Sequence, residues 1–110
     1  MAGLSLKHLA GTRRDGESED LSGERFTVGR SADCDLALEA DLVSRRHFRI
    51  ELVNADWLVE DLGSRNGTYL NGRPVSCAAL HDLDLLQLGP EGPLLRVESL
   101  DPPPPPKPQA

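Results

Sequence analysis

The run His47-Phe48-Arg49-Ile50-Glu51-Leu52-Val53-Asn54-Ala55-Asp56-Trp57-Leu58-Val59-Glu60-Asp61 decides the fold class. Phe48, Ile50 and Leu52 alternate with His47, Arg49 and Glu51. That period of two puts one face of a strand in a core and the other in water. Asn54-Ala55-Asp56 reads as a turn, and Trp57-Leu58-Val59-Glu60-Asp61 as the antiparallel partner strand.

The same pattern extends in both directions. Leu4, Leu6 and Leu9 mark a first strand, followed by an acidic loop with Gly and Ser that runs to Ser22. Phe26 and Val28 mark a second strand that stops at Gly29, and Leu36 and Leu38 a short third. Asn71-Gly72 is a two-residue hairpin signal that sets Tyr69-Leu70 against Arg73-Pro74-Val75. The last two strands run from Leu83 to Leu88 and from Leu94 to Val97, around Gly89-Pro90-Glu91-Gly92-Pro93. No amphipathic helix and no internal repeat is visible. Short strands punctuated about every ten residues predict an all-β sandwich of two antiparallel sheets.

At 110 residues the chain has the size of one domain. Of its nine prolines, six occupy positions 102–106 and 108. That run suits an extended polyproline segment, so residues 1–100 are expected to fold and 101–110 to form a Pro-rich linker or tail. A linker of this kind implies a longer multidomain protein, in which it acts as a spacer. The net charge of -6 opposes a general binder of nucleic acid or anionic membrane. Acids crowd positions 15–20 and 33–41, whereas Arg45, Arg46 and Arg49 surround His47. A local basic site on an acidic body suits a discrete anionic group. Cys34 and Cys77, without an apolar leader, read as reduced, buried thiols of an intracellular, cytoplasmic protein. No segment approaches the roughly twenty apolar residues of a membrane-spanning helix.

Three polar clusters lie between the strands: Val28-Gly29-Arg30-Ser31, Val43-Ser44-Arg45-Arg46-His47, and Asp61-Leu62-Gly63-Ser64-Arg65-Asn66-Gly67-Thr68. A phosphate dianion is held by guanidinium forks, hydroxyls and amide donors that converge from several directions. Gly29 allows a backbone geometry closed to larger residues and so can aim Arg30. The Ser44 hydroxyl can donate to a phosphate oxygen or cap a turn. Arg46, next to Arg45 on extended backbone, is expected to point the other way, as a solvated charge. Asn66 offers both acceptor and donors, which suits either a peptide backbone or its own turn.

Gly29-Arg30, Ser44 with His47 three residues on, Asn66-Gly67-Thr68 and Asn71-Gly72, in that order, resemble the forkhead-associated (FHA) domain, a phosphothreonine-binding module. The resemblance covers roughly positions 4–100. It implies a β-sandwich with ligand loops at one end, and phosphate contacts from Arg30, Ser44, Arg45 and Arg65. It assigns Asn66 to the ligand's main chain, and His47 to structural support of the loop that carries Ser44. Gly29, Gly67, Thr68, Asn71 and Gly72 are implied as scaffold. The implied partners are a phosphothreonine protein and an upstream Ser/Thr kinase, with no cofactor or metal. Selectivity for threonine, through a pocket for its methyl group, is likewise implied by the resemblance alone. The family usually has glycine just before the residue matching Asp84, where this chain has Leu83. A left-handed turn would cost leucine about 1 kcal/mol or more, so a different local turn is expected.

Rival chemistries are weaker. Ser44 lacks the flanking glycines of a nucleophile elbow, and residues three apart on extended backbone face opposite ways, so no Ser–His enzyme is expected. Cys34, His47, Cys77 and His81 lack the paired spacing of a zinc site. The serious alternative is a phospho-independent interaction or assembly domain that uses the sheet face or the Pro-rich tail.

Overall fold

The computed structural model describes residues 2–103. It contains β1 (Gly3–Ala10), β2 (Ser18–Ser22), β3 (Arg25–Gly29), β4 (Leu36–Ala37), β5 (Phe48–Val53) and β6 (Asp56–Asp61). These are followed by β7 (Thr68–Leu70), β8 (Arg73–Val75), β9 (Cys77–Ala79), β10 (Leu85–Leu88) and β11 (Leu94–Asp101). One six-stranded sheet has the order β2-β1-β11-β10-β7-β8, and a five-stranded sheet the order β4-β3-β5-β6-β9. Among the described residues no helix is long and apolar enough to cross a membrane.

The expected sandwich is present, and its core follows from the alternation. Phe48 and Ile50 on β5 and Trp57 and Val59 on β6 are fully buried, with Ile50 paired to Val59. Phe26 stacks on Trp57 with ring centroids 6.1 Å apart. From the facing sheet, Leu6, Leu86, Leu88, Leu95 and Val97 close the core. Burying aliphatic and aromatic side chains of this size contributes about 1.5–3 kcal/mol each. The hairpin signals also hold. Asn71 and Gly72 both have left-handed φ, 52° and 85°, as a two-residue turn between right-twisted strands requires.

Several local expectations are corrected. The acidic segment before Ser22 is not all loop, because β2 pairs with β1 from Gly3↔Ser22 to Lys7↔Ser18. On β1 the buried face is Leu4, Leu6 and His8, not Leu9, with a register irregularity between His8 and Ala10. The His8 Nδ1 lies 3.0 Å from Thr12 Oγ1, which gives the buried ring a polar partner. The third strand is limited to Leu36–Ala37 and runs parallel to β3. β9, with no apolar alternation, pairs with β6 through its backbone. Cys77 on that edge is exposed and Cys34 half-buried, so neither thiol is in the core. Leu83 does adopt the left-handed turn, at φ 67°, and is 63% exposed. Hydrogen bonds from Leu83 N to Val97 O (2.7 Å) and from His81 N to Asp84 Oδ2 (2.7 Å) impose it. Finally, β11 continues through Asp101, and Trp57 Nε1–H donates to Pro102 O at 3.3 Å. The Pro-rich stretch from 104 onward lies outside the described residues.

Candidate functional site

The β3–β5 pairing sets the geometry of the site. The register Val28↔Phe48 continues past the strand ends as a backbone zipper. His47 N donates to Val28 O (2.9 Å), Arg30 N to Ser44 O (2.9 Å) and Ser31 N to Arg45 O (3.1 Å). Gly29 sits inside this zipper. Its φ is not left-handed; a Cβ there would lie 2.2 Å from the Arg45 carbonyl oxygen. Glycine is therefore needed for close approach rather than for an unusual φ. Cys34 Sγ–H also donates to Arg45 O, at 3.2 Å. Burial, with the charge of Asp33, holds the thiol pKa above its usual value, so the proton it donates is retained.

His47 joins the second cluster to the third. Its fully buried ring accepts a hydrogen bond at Nδ1 from Ser44 N (3.1 Å), and Nε2–H donates to Gly67 O (2.7 Å). The two bonds fix the Nε2–H tautomer. Ser44 Oγ accepts from Arg65 N (3.0 Å), which leaves the hydroxyl proton free to point outward. Asn66 Nδ2 donates to Leu42 O (2.8 Å), tying the third loop to the second again.

The 61–68 loop is organised by Asp61, a residue to which the sequence reading gave no role. Its Oδ2 accepts from Gly63 N (3.0 Å) and Ser64 N (3.1 Å). Its Oδ1 accepts from Ser64 Oγ (2.5 Å) and Thr68 Oγ1 (2.8 Å). Burial alone would raise the carboxyl pKa. The two hydroxyls and two amides outweigh it and hold the group below its ordinary range. The signal was present in Asp61-Leu62-Gly63-Ser64, because an Asp two residues before Gly commonly bonds the backbone ahead of it.

Arg30, Ser44, Arg45 and Arg65 line one open cavity of about 460 Å³ together with Asp41, Val43, Arg46 and Gly63. Arg46 also lines the cavity, but its side chain is 67% exposed, the solvated charge expected of it. Residues 43–47 bend instead of extending, and Arg46 reaches Asp33 at 3.4 Å. Ser31 Oγ, at 2.5 Å, and Arg46 lower the pKa of Asp33. Among the described residues Arg30, Arg45 and Arg65 have no ion pair. Asn66 lies beside the cavity without lining it. Gly67 and Thr68 brace the loop behind it, through His47 and Asp61 respectively. Asn71 and Gly72 are not at the cavity. Asn71 bonds Asp84 Oδ1 (3.0 Å) and Leu85 N (2.9 Å) from the β7–β8 turn. Chemically, the cavity offers three guanidiniums with no ion pair among the described residues, one outward hydroxyl and the Asp41 carboxylate, a net positive receptor for a compact dianion.

These features define a β-sandwich that presents an anion site from its connecting loops. The sequence model of the FHA domain matches residues 26–89, and the chain belongs to the FHA domain family. It is similar to the glycogen accumulation regulator GarA of Mycobacterium tuberculosis, with 44% identity over 75 residues, 62% of this chain and 46% of that protein. The chain thus spans less than half the length of this curated relative. Among solved structures it is similar to an FHA domain from a study of phosphothreonine-dependent FHA domain interactions, with TM-score 0.76 and 31% identity, covering 88% of this chain and 96% of that one. It is also similar to the FhaA FHA domain complexed with the intracellular domain of Rv3910, with TM-score 0.74 and 30% identity, covering 86% and 99%.

Proposed function

We propose that this chain is a phosphothreonine-dependent interaction module that reads marks written by a Ser/Thr kinase on an intracellular partner. One observation carries the reading: Arg30, Arg45 and Arg65, none of them ion-paired among the described residues, share a cavity with Ser44, one of whose two hydroxyl lone pairs is engaged by Arg65 N. A phosphoryl group brings about -1.5 to -2 charges at neutral pH. Each charge-assisted hydrogen bond contributes about 1.5–3 kcal/mol before the costs of association and ordering. Several such bonds are enough to make phosphorylation the condition for binding. In this proposal Asn66, whose Oδ1 accepts no hydrogen bond among the described residues, contacts the main chain of the ligand, while His47 and Asp61 hold the loops.

Catalysis has no place in the proposal. Both ring nitrogens of His47 are engaged by backbone groups, and Ser44 Oγ is bonded to an amide rather than to a base. No cofactor or metal is invoked, and the site acts on the cytoplasmic side, where kinase substrates lie. The binding unit extends past residue 100, since β11 runs through Asp101 and the Pro102 carbonyl accepts from the Trp57 indole. Calorimetry with a phosphothreonine peptide and its unphosphorylated twin tests the reading. Binding of the phosphorylated form alone is expected, and equal affinity for both would favour the phospho-independent assembly role instead.

A further inference from the structure

One member of the cavity is out of keeping with the rest. Asp41 is a carboxylate among four arginines, and among the described residues it forms no hydrogen bond and no ion pair. Arg46 is compensated by Asp33 at 3.4 Å. Three free guanidiniums and Asp41 leave the cavity with two net positive charges, the complement of one phosphoryl dianion. Once that dianion is bound, the guanidiniums are engaged by it and the Asp41 carboxylate is not. It then faces the ligand as an unpaired negative charge next to a second one, a situation relieved by a cation.

Among the described residues no cation is paired with Asp41, which leaves the carboxylate open to a cation from the ligand. A cavity of about 460 Å³ also exceeds what a phosphoryl group fills, about five heavy atoms at roughly 30 Å³ each by the measure of liquid water. Room for a neighbouring side chain remains. Its position along the ligand follows from the local backbone. Val43 N donates to Ala40 O at 3.1 Å, so residues 40–43 form a turn. Asp41 and Ser44 are therefore closer than the ~10 Å that three extended residues span. A residue that reaches Asp41 lies within about three positions of the phosphothreonine held at Ser44.

We propose that Asp41 is a specificity-determining residue that selects phosphopeptides carrying a Lys or Arg within three residues of the phosphothreonine. The inference rests on the phosphopeptide reading above and adds a rule for its flanking sequence. Asp41 is exposed, so the preference has the size of a solvent-exposed ion pair, about two- to fivefold in affinity. It should shrink as salt is raised, because screening over about 10 Å at 0.1 M weakens such pairs.

The test is fluorescence anisotropy of one phosphothreonine peptide series flanked by Arg, by Ala or by Asp at each position from -3 to +3. The wild-type chain and Asp41→Asn are titrated side by side, and unphosphorylated peptides serve as the reference. The wild type is expected to prefer an Arg-flanked peptide at one or more positions by about two- to fivefold over its Ala counterpart. Asp41→Asn is expected to lose that preference and to bind the Ala-flanked peptide more tightly, since one repulsion with the phosphate is gone. Phosphorylation-dependent binding with no basic preference, or a preference that survives in Asp41→Asn, would overturn the inference alone. Failure of the wild type to distinguish phosphorylated from unphosphorylated peptides would overturn the phosphopeptide reading and this inference together.

Discussion

Asp61→Ala is the substitution that most directly tests how the candidate site is held in place. It removes one carboxylate and deprives four donors at once: the amides of Gly63 and Ser64 and the hydroxyls of Ser64 and Thr68. Hydrogen bonds to a charged group contribute about 1.5–3 kcal/mol each, which sets a gross loss of roughly 6–12 kcal/mol. The net loss is smaller. Gly63 is exposed, so water replaces its acceptor, and the Ser64 hydroxyl can rotate toward solvent. Thr68 is 1% exposed and cannot be rescued in this way. A net loss of about 2–4 kcal/mol remains. For a chain of this size, that lowers Tm by on the order of 10–25 °C. Asp61→Asn keeps Oδ1 for the two hydroxyls but turns an amide donor toward two N–H groups, so it should cost about half as much. The pH dependence provides a second check. The folded-state pKa of Asp61 is depressed, so its stabilisation is present above the unfolded value of about 3.9 and is lost as pH falls through the folded value. The gap between wild type and Asp61→Ala should therefore be full at pH 7 and narrow below about pH 4. Thermal melts followed by circular dichroism from pH 2.5 to 7 measure both effects. If Asp61→Ala melts within 3 °C of wild type at pH 7, the carboxylate does not organise the loop and the reasoning fails.

Three further measurements separate binding from scaffold. Arg30→Ala should reduce phosphopeptide affinity at least tenfold with Tm unchanged, whereas His47→Ala should cost about 2–4 kcal/mol of stability, since a buried ring and two hydrogen bonds are lost; a His47→Ala variant with native Tm and no binding would reverse that division. Leu83→Gly should raise Tm by a few degrees, because relief of a left-handed leucine, about 1–2 kcal/mol, exceeds the added chain entropy of about 0.5–1 kcal/mol. Truncation after residue 103 should leave Tm and affinity unchanged, while truncation after residue 101 removes the acceptor of the Trp57 indole and should cost about 1 kcal/mol, measured by urea denaturation.

The parts of this fold that could be read in advance are those where side chains carry the information. Phe48 and Ile50 against Trp57 and Val59 give alternation, and Asn71-Gly72 gives a turn, because the residue types themselves are constrained. The parts that could not be read are held by backbone alone. β2, with Leu21 as its only large apolar side chain, and β9, Cys77-Ala78-Ala79, are edge strands whose pairing uses N–H and C=O groups that every residue possesses. Leu83 shows the related case of tertiary override. Its conformation is dictated by Val97 O and by the Asp84 turn, so local propensity lost.

The same division runs through the site. Arg30, Ser44, Arg45 and Arg65 were recognisable as chemistry, since guanidiniums and a hydroxyl between strands suit an anion. Their convergence was implied only by the resemblance to the FHA domain, because what produces it is a set of carbonyls and amides that residue types do not announce. The β3–β5 ladder runs beyond both strands through Val28 O, Ser44 O and Arg45 O. It is this extension that brings two arginines, fifteen residues apart in the chain, to one rim. Gly29 is the one side-chain requirement the extension imposes, as the Arg45 carbonyl occupies the space a Cβ would take. A methyl group at position 29 should therefore separate Arg30 from Arg45 without touching either guanidinium. The arginines are the site's chemistry, and the glycine between the strands fixes their spacing.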